Sequence, residues 1–526
     1  MGLNISNEIK KFGNVINSRI PAAEQIKDSE WLVKYMTDPK NPFKKFSFEG
    51  REYFIDIIDD DREWLCMQKS AQIGGTELFT RAGVRYCVKY GRIRIIYTMP
   101  TKQDIDNFSA DRFNTMINDL EKTFPVSGDI SNASLKQILE AHIYFRGTKS
   151  ATAPISIPAD ILIHDEIDKS DMDAISQYSS RIENSVISLV RYFSTPTFTN
   201  FGINRLFRDS DQAYYLHKCY MCNTWVCFMP TDMKRVSGKW AFVCPHCGRK
   251  IDKTKTKAEW VRKHPDRKDR AGYQVGKIWS KVWDAESIRK SEQRYKNVPD
   301  AVQHIWNYVY GLPYDSAELV PFNLSMLDEI VVQEEVVDKS YGCLIGIDNS
   351  VAKHVVVIDV RENTFVVIDA FVTDSDEGIY RIKDAIDRYN PFHLGIDPLP
   401  DITFAKNVKE LMNKVYYVWF RNVTDLSKVD EGEMTITIHK NLAVSEVSSL
   451  MKENKLLVAE HILDSNPDFL EHFNNLKGEK DINGVVKYKN FGMPDHFAMG
   501  TIYALAGHLS NANNKFMHGI NIFKGF

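Results

Sequence analysis

The sequence predicts an α/β protein of at least two domains, and three observations lead to this prediction. In the N-terminal half, apolar strand-like runs alternate with segments of helical periodicity, which indicates a parallel sheet flanked by helices. Two C-x-x-C pairs interrupt that half. After residue 340, three strand-like runs with short polar turns indicate an antiparallel meander, and therefore a second sheet.

Size and composition are consistent with this organisation. A chain of 526 residues exceeds one ordinary core. Apolar residues at 43% and charged residues at 26% describe a soluble globular protein, without an apolar run of the roughly 18–20 residues that span a bilayer. The first residues lack the apolar region of a secretory signal, so we expect a cytosolic protein that does not act on a membrane. A net charge of −3 excludes a uniformly basic surface but allows a local nucleic-acid channel.

A glycine-containing loop lies between a short apolar run and a helical segment at residues 67–77, MQKSAQIGGTE. Gly74 and Gly75 would let backbone N–H groups approach phosphate oxygens at a helix N-terminus. The usual phosphate loop is G-x-x-x-x-G-K-[ST]. Here Lys69 stands first in the corresponding eight residues, and Thr76 takes the place of the Mg²⁺-binding hydroxyl. The alternative is an ordinary strand–turn–helix connection.

Two adjacent acids end the apolar run 161–164 within ADILIHDEIDK. Such a run is typical of a strand that is buried on both faces of a parallel sheet. Asp165 would hold Mg²⁺ opposite Thr76, and Glu166 would orient and deprotonate the water that attacks the γ-phosphate. An acidic helix N-cap is the alternative for this segment alone, but the order of the two motifs favours a nucleotide site.

A small hydroxyl pair, Ser194 and Thr195, follows the next strand-like run at residues 189–193. Beside a nucleotide site, these side chains can sense the γ-phosphate and pass its loss to a neighbouring element. Ser, Thr and Pro also favour strand-ending turns, so a plain turn is the alternative.

Together these motifs resemble the large terminase subunit of tailed bacteriophages, in its lambda-like branch. The resemblance implies an ATP-driven motor that pumps double-stranded viral DNA into a procapsid in the host cytoplasm. It also implies a small terminase subunit and a portal protein as partners, and a homo-oligomeric ring on the procapsid. The ATP-binding and Mg²⁺-binding residues would be Lys69, Ser70, Gly74, Gly75, Thr76 and Asp165, with Glu166 as the catalytic residue and Ser194 and Thr195 as the coupling motif.

The four cysteines Cys219, Cys222, Cys244 and Cys247 follow the pattern C-x₂-C-x₂₁-C-x₂-C. Two such pairs can complete a tetrahedral thiolate shell for Zn²⁺, whereas a redox dithiol would need one pair. Directly afterwards, residues 249–270 carry ten Lys or Arg against four acids. This basic segment can neutralise duplex phosphates, or it can be a solvated hairpin.

Three acids mark the C-terminal half. Asp348 ends the first strand of the meander, Asp397 follows a later short strand, and Asp495 begins an apolar helix. This order resembles a nuclease of the ribonuclease-H-like fold, in which the three carboxylates would hold two Mg²⁺ or Mn²⁺ ions against a phosphodiester. Each acid could instead cap a turn or helix. Asp369 is a fourth candidate, and His496 is interpreted as part of the helix start.

The predicted fold is therefore a P-loop ATPase domain with a zinc-ribbon insert, followed by an RNase-H-like nuclease domain. The predicted segments are an N-terminal segment (1–45), the ATPase core (46–212), the zinc ribbon and basic segment (213–270), the ATPase closing region and linker (271–335) and the nuclease domain (336–526). Three other functional hypotheses stay open: a zinc-ribbon helicase-like ATPase, an RNase-H-like recombinase or transposase with a non-hydrolysing ATPase-like half, and a zinc-ribbon scaffold without activity.

Overall fold

The chain forms two compact units, residues 1–314 and 315–526, in a computed structural model that describes residues 26–122, 126–149, 157–298, 300–316, 318–333, 340–362, 364–421, 427–480 and 485–509. Each unit is a mixed α/β assembly around its own large sheet. Residues 315–333, which the sequence suggested as part of a linker, lie in the second unit, where Phe322 is buried in the core. None of the described helices has the length and apolarity that crossing a membrane requires.

The strands of the first unit are β1 (Thr37–Asp38), β2 (Asn41–Lys45), β3 (Trp64–Lys69), β4 (Arg94–Met99), β5 (Ser127–Asn132), β6 (Leu135–Ile138), β7 (Ala141–Gly147), β8 (Ile161–Asp165), β9 (Leu189–Ser194), β10 (Ala213–Lys218), β11 (Trp225–Val226), β12 (Met233–Val236), β13 (Lys239–Val243), β14 (Lys250–Ile251), β15 (Ala258–Arg262) and β16 (Arg270–Val275). Its α-helices are α1 (Asp28–Tyr35), α2 (Tyr53–Ile58), α3 (Gly75–Tyr90), α4 (Lys102–Phe108), α5 (Asn114–Glu121), α6 (Met172–Ser179), α7 (Gly202–Arg208), α8 (Ala285–Gln293) and α9 (Ala301–His304). Short π-helical turns cover Ser109–Phe113 and Ile305–Tyr310, and a 3₁₀ turn covers Ile167–Lys169.

The main sheet of the first unit has eleven strands among the described residues, in the order β11-β10-β16-β3-β9-β8-β4-β7-β6-β5, with β15 paired to β10. The strands from β10 to β7 along this order run parallel. Every residue of β8 and β9 is buried, as expected for central strands that are covered by helices on both faces. The parallel sheet predicted for this half is confirmed, and the carboxyl ends of β3, β9 and β8 lie side by side.

Cys219 and Cys222 precede a small three-stranded sheet, β12-β13-β14, and Cys244 and Cys247 lie in the connection between β13 and β14. The strands on either side of this insert, β10 and β15, belong to the main sheet, although the prediction grouped them with the zinc ribbon. Within the basic segment, Lys253 is buried rather than solvated. Its ammonium donates to the carbonyl of Ile278 at 2.6 Å and lies 4.1 Å from the centre of the Phe242 ring. The insert is therefore tied to the segment that follows β16.

The strands of the second unit are β17 (Val331–Val332), β18 (Ser340–Asn349), β19 (Lys353–Arg361), β20 (Phe365–Thr373), β21 (His393–Ile396), β22 (Val415–Phe420), β23 (Ser427–Asp430), β24 (Thr435–Ile438), β25 (Leu456–Ala459), β26 (Lys477–Lys480) and β27 (Val486–Lys489). Its helices are α10 (Leu324–Glu329), α11 (Ser375–Tyr389), α12 (Ile402–Lys409), α13 (Lys440–Lys452), α14 (His461–Ser465), α15 (Phe469–Asn474) and α16 (His496–Leu509).

The sheet of the second unit has nine strands among the described residues, in the order β17-β25-β20-β19-β18-β21-β22-β24-β23. The predicted antiparallel meander is confirmed, because β18, β19 and β20 pair antiparallel. Strand β21 then pairs parallel with β18. Helix α16 crosses these strands at close range: a Cβ atom on Gly346 would lie 1.9 Å from the carbonyl oxygen of Gly500, and one on Gly395 would lie 2.2 Å from that of Tyr503. Glycine at these two strand positions therefore sets the position of α16.

Asp211 gives a direct test of the packing in the first unit. Its buried carboxylate accepts hydrogen bonds from Arg62 at 2.6 Å and from the Gly272 N–H at 2.8 Å, and it pairs with Arg262 at 2.6 Å. We expect Asp211→Ala to lower the free energy of unfolding of this unit by about 1–3 kcal/mol, because the Gly272 N–H loses its buried acceptor and the half-buried Arg62 and Arg262 keep only Asp60 as an acidic partner. Urea unfolding measures the change.

The matched control is Asp269→Ala, which removes an exposed carboxylate 3.8 Å from Arg270. Exposed pairs of this kind add little to stability, so this variant should unfold like the parent. An Asp211→Ala protein as stable as the Asp269→Ala protein would contradict the role given to the buried carboxylate.

Candidate active sites and candidate metal centre

Lys69, the last residue of β3, extends its side chain across the start of α3, next to the loop that joins the two elements. Residues 70–74 form this loop, in which Gly74 adopts a left-handed conformation with φ +98°. A Cβ atom on Gly75 would lie 2.7 Å from Cδ of Lys69 and 2.8 Å from Cε of Met67. Glycine at the first helical position therefore leaves room for the Lys69 side chain beside the unpaired N–H groups of the helix start.

Thr76 and Asp165, which the sequence placed opposite each other, are in direct contact. The Thr76 hydroxyl donates to Oδ2 of Asp165 at 2.7 Å. The other carboxylate oxygen, Oδ1, is buried and has no hydrogen-bond partner within the described part of the chain. Burial raises the pKa of Asp165 to about 6, although the nearby Lys69 ammonium opposes the shift. A hydroxyl beside a buried, unpartnered carboxylate oxygen fits a hard divalent cation such as Mg²⁺.

Glu166 lies at the end of β8 with one lysine on each carboxylate oxygen. Its backbone is left-handed, with φ +56°, and its N–H donates to the Phe193 carbonyl at 2.9 Å. The Lys69 ammonium lies 3.1 Å from Oε1, and the Lys169 ammonium lies 3.1 Å from Oε2. Burial raises the pKa of Glu166, but the two lysines more than offset this effect and hold the pKa below its usual value. Glu166 is therefore an ionised, oriented carboxylate next to the Thr76–Asp165 pair.

The segment after β16, to which the sequence assigned no chemistry, holds the loop in place. The N–H of Ser70 donates to the carbonyl of Val275, and the N–H of Ala71 donates to that of Tyr308, both at 3.0 Å. The Ser70 hydroxyl oxygen also accepts the N–H of Lys277 at 3.2 Å. Ser70, one of the residues expected to bind ATP, therefore uses its backbone N–H to brace the loop. The N–H groups in the first turn of α3 are the ones left for phosphate oxygens.

Ser194 and Thr195 lie at the end of β9, next to the turn that follows Glu166. The Ser194 hydroxyl accepts the N–H of Asp168 at 3.3 Å and donates to the Thr195 carbonyl at 3.1 Å. The sequence reasoning missed Asp168 and Thr197. The Asp168 carboxylate accepts both the N–H and the hydroxyl of Thr197 at 2.8 Å, and burial raises its pKa to about 6. The signal for Asp168 was a further acid two residues after Glu166.

The two C-x-x-C pairs converge on one point. The four Sγ atoms lie within 4.8 Å of one another, with Cys219 and Cys247 at 3.9 Å and Cys222 and Cys244 at 3.7 Å. A tetrahedron with Zn–S bonds of about 2.3 Å has sulfur–sulfur distances of about 3.8 Å. Hydrogen bonding with the side chain and backbone of Thr224 lowers the pKa of Cys222 to about 6, which favours the thiolate. The arrangement fits Zn²⁺, and Cys227 lies outside this group of sulfur atoms.

The three acids of the second unit lie at adjacent element ends. Asp348 is the penultimate residue of β18, Asp397 directly follows β21, and Asp495 directly precedes α16. The Asp397 N–H donates to the Ile347 carbonyl at 3.2 Å, which places it beside the end of β18. Oδ2 of Asp397 accepts the Tyr503 hydroxyl at 3.1 Å, and Oδ1 of Asp495 accepts the Asn490 amide at 3.0 Å.

The charges of these carboxylates affect the pKa values of their neighbours. Burial raises the pKa of both Asp397 and Asp495, and the negative charge of Asp348 adds to both shifts. The Tyr503 phenol has its pKa raised well above its usual value by burial and then by the charges of all three acids. A cation bound among these carboxylates would relieve the repulsion between them.

Histidines form the other side of this cluster. His496 lies with Nδ1 2.7 Å from Oδ2 of Asp348, and its ring stacks on that of His354 at 4.5 Å. Nδ1 of His354 is 3.0 Å from the Ala352 carbonyl. If Nδ1–H donates there, Nε2 keeps a lone pair for a metal ion. One ligand atom each from Asp348, His354 and His496 lies within 4.8 Å of the others, so the structure places two imidazoles beside one of the predicted carboxylates.

His354 could have been found from the sequence, because the turn between β18 and β19 pairs it in register with Asp348. Asp369, the fourth acidic candidate, lies within β20 rather than at its end. There it accepts a hydrogen bond from Tyr389 at 2.9 Å. No contact among the described residues joins Asp369 to the acid cluster.

Comparison with known proteins supports the interpretation drawn from the motifs. A model of the family described as phage terminase large subunit gpA, ATPase domain, matches residues 52–263. No curated protein matches the chain. Among solved structures, the HK97 bacteriophage large terminase matches at 12% identity and a TM-score of 0.52, over 91% of this chain and 99% of that one. A large terminase from a thermophilic bacteriophage matches at 11% identity and a TM-score of 0.35, over 88% of this chain and 98% of that one.

The match to the HK97 protein indicates a shared fold. The family match covers the loop after β3, the acidic end of β8 and the hydroxyl pair at the end of β9. The resemblance predicted from these motifs is confirmed: residues 52–263 match the model of the phage terminase large subunit gpA ATPase domain.

Proposed function

We propose that this chain is an ATP-driven packaging motor that moves double-stranded viral DNA into a procapsid and cuts concatemeric DNA with a two-metal endonuclease site. The observation that carries the proposal is the presence of two separate carboxylate sites in one chain. The first joins Thr76 and Asp165 in the unit that matches the terminase ATPase family. The second gathers Asp348, Asp397 and Asp495 at the element ends of the other sheet.

In the first site, the loop and the start of α3 bind the phosphates of ATP. The N–H groups of Gly75 and Thr76 point out of the first helical turn, and the Lys69 ammonium adds a positive charge beside them. Mg²⁺ held by Thr76 and Asp165 would neutralise charge on the β- and γ-phosphates. Glu166 orients the attacking water and accepts its proton, and Oδ1 of Asp165 is the buried oxygen left for the cation.

Ser194 and Thr195 couple this site to its surroundings. Ser194 contacts the N–H of Asp168 in the turn that begins at Glu166. Asp168 in turn holds Thr197, whose carbonyl accepts the N–H of Tyr314 at 3.1 Å. A shift of Glu166 on loss of the γ-phosphate would therefore reach Tyr314, the last residue of the first unit, through consecutive hydrogen bonds.

In the second site, Asp348, Asp397 and Asp495 would hold two Mg²⁺ or Mn²⁺ ions, with Asp348 as the ligand common to both. Such a pair of ions supplies a nucleophile at neutral pH and stabilises the leaving oxygen of the phosphodiester. His354 and His496 add nitrogen ligands on the Asp348 side, which favours Mn²⁺ over Mg²⁺. Tyr503 orients Asp397, and Asn490 orients Asp495, through the hydrogen bonds to their carboxylates.

The cysteine group holds a structural Zn²⁺, and the basic segment beside it contacts DNA. Four thiolates would leave the ion without an open position for catalysis. Exposed cations of this segment, including Lys255 and Lys257, are available to duplex phosphates. As a packaging motor, the chain would act in the host cytoplasm as a homo-oligomeric ring with a small terminase subunit and a portal protein.

The first prediction concerns ATP hydrolysis. Glu166→Gln should lower kcat by at least about 100-fold, because it removes the base that activates water, while the Kd for ATP stays within about threefold. A steady-state ATPase assay and a nucleotide-binding titration measure the two effects. Normal turnover in this variant would remove Glu166 from its role. A parent protein that cuts DNA but never hydrolyses ATP would favour the recombinase reading.

The second prediction concerns DNA cleavage. Asp348→Asn should reduce Mn²⁺- or Mg²⁺-dependent cleavage of plasmid DNA by at least about 100-fold and leave ATPase activity unchanged, because the shared metal ligand is lost from a separate site. Asp369→Asn, in the same sheet but outside the acid cluster, is the matched control and should still cut. Cleavage by the Asp348 variant at the parental rate would place the metal site elsewhere.

The third prediction concerns zinc. The purified chain should contain about one zinc ion, and Cys222→Ser should lose it and lower the Tm, because structural zinc sites contribute directly to folding. Elemental analysis and thermal unfolding measure the two effects. Cys227→Ser, outside the group of four sulfur atoms, should keep its zinc. Equal zinc content in the two variants would count against the four-cysteine site.

A further inference from the structure

The carboxylate of Glu166 is shared by two lysines that reach it in different ways. Lys69 approaches Oε1 from the end of β3, with its side chain almost fully buried. Lys169 approaches Oε2 from the turn that follows Glu166, and half of its side chain is exposed. Each ammonium nitrogen lies 3.1 Å from its oxygen.

A bound nucleotide would affect these two ion pairs differently. Lys69 crosses the start of α3, so a bound triphosphate would compete with Glu166 for its ammonium. Lys169 is tied to Glu166 through the backbone, because its N–H donates to the Glu166 carbonyl at 3.0 Å within the 3₁₀ turn. The same turn places the two side chains three residues apart, independently of the loop. Lys169 is therefore the partner that stays when ATP draws Lys69 away.

A cation that remains paired with Glu166 matters because the contacts of the Glu166 backbone do not orient its carboxylate. Its left-handed conformation is costly for a residue with a side chain, and the surrounding hydrogen bonds hold it there. The Phe193 carbonyl accepts the N–H of Glu166, and the Ser170 hydroxyl donates to the Glu166 carbonyl at 3.2 Å. These contacts hold the backbone but leave the carboxylate free to rotate. A base must keep its oxygen within hydrogen-bond reach of the water that it activates.

We propose that Lys169 is a positioning residue for ATP hydrolysis, which holds the Glu166 carboxylate against the attacking water once Lys69 engages the phosphates. This inference rests on the proposed function of the first site. Lys169 acts through Glu166 and does not touch the nucleotide. Its contribution is therefore to kcat and not to the binding of ATP.

Two substitutions at Lys169 distinguish the loss of its positive charge from a change in the size of its side chain. Lys169→Met keeps the aliphatic stem and removes the ammonium, whereas Lys169→Arg keeps a cation in reach of Oε2. We expect Lys169→Met to lower kcat for ATP about tenfold with KM within about twofold, and Lys169→Arg to keep at least about half of the parental kcat.

A matched control comes from Lys122, which pairs with Asp119 at the same spacing of three residues, at 2.7 Å. Lys122→Met should leave both constants unchanged. Thermal unfolding of both Met variants should stay close to that of the parent, because Lys122 is exposed and Glu166 keeps its contact with Lys69 when the Lys169 ammonium is lost.

Three results would overturn the proposal: a parental kcat in Lys169→Met, a raised KM with unchanged kcat, or a Lys169→Arg protein as slow as Lys169→Met. Glu166→Gln in the same assay separates this inference from the function beneath it. If Glu166→Gln is inactive and Lys169→Met is normal, only the role of Lys169 fails. If Glu166→Gln turns over normally, the proposed function of the first site fails as well.

Discussion

The hydrogen bond between Thr76 and Asp165 depends on the alignment of three parallel strands. Phe193 of β9 is the register partner of Met67 on one side and of Asp165 on the other. The loop that continues β3 therefore leaves the sheet at the level where β8 ends, and Thr76, in the first turn of α3, meets the carboxylate across the tip of β9. Burying a carboxylate with one oxygen unpartnered costs several kcal/mol, and a cation bound at that oxygen would offset this cost. We therefore propose that a cation binds at this edge of the sheet.

In the second unit, strand pairing in a different sheet also brings carboxylates together. Ile347 of β18 and Ile396 of β21 are register partners, so Asp348 and Asp397, the next residue on each strand, emerge side by side. The third acid, Asp495, comes from the start of α16, which approaches because Gly346 and Gly395 remove the side chains that would hold it away. Parallel pairing and a close helix thus gather carboxylates that are far apart in the sequence, and the antiparallel partner β19 adds an imidazole opposite Asp348.

The strand-end acids could be predicted because each follows a short apolar run, and a run of that kind specifies both the strand and where it ends. The four cysteines could be predicted because their spacing carries the chemistry. The contacts that hold these site residues in place could not be predicted. Gln68 and Gln274 share a buried amide contact across 206 residues, and neither lies in a recognisable motif. Lys253 belongs to a run of charge that reads as solvated, yet backbone carbonyls from a distant segment bury its ammonium. Such contacts are set by tertiary packing and leave no local pattern.

The central claim is that one polypeptide holds two separate divalent-cation sites, one for nucleotide and one for a polynucleotide. Crystals of the protein with a non-hydrolysable ATP analogue and Mn²⁺ would test it most directly, through anomalous scattering on both sides of the manganese absorption edge. We expect manganese peaks in contact with Thr76 and Asp165 in the first unit, and with Asp348, Asp397 and Asp495 in the second. The absence of manganese from either group of residues, with the ion bound elsewhere, would contradict it.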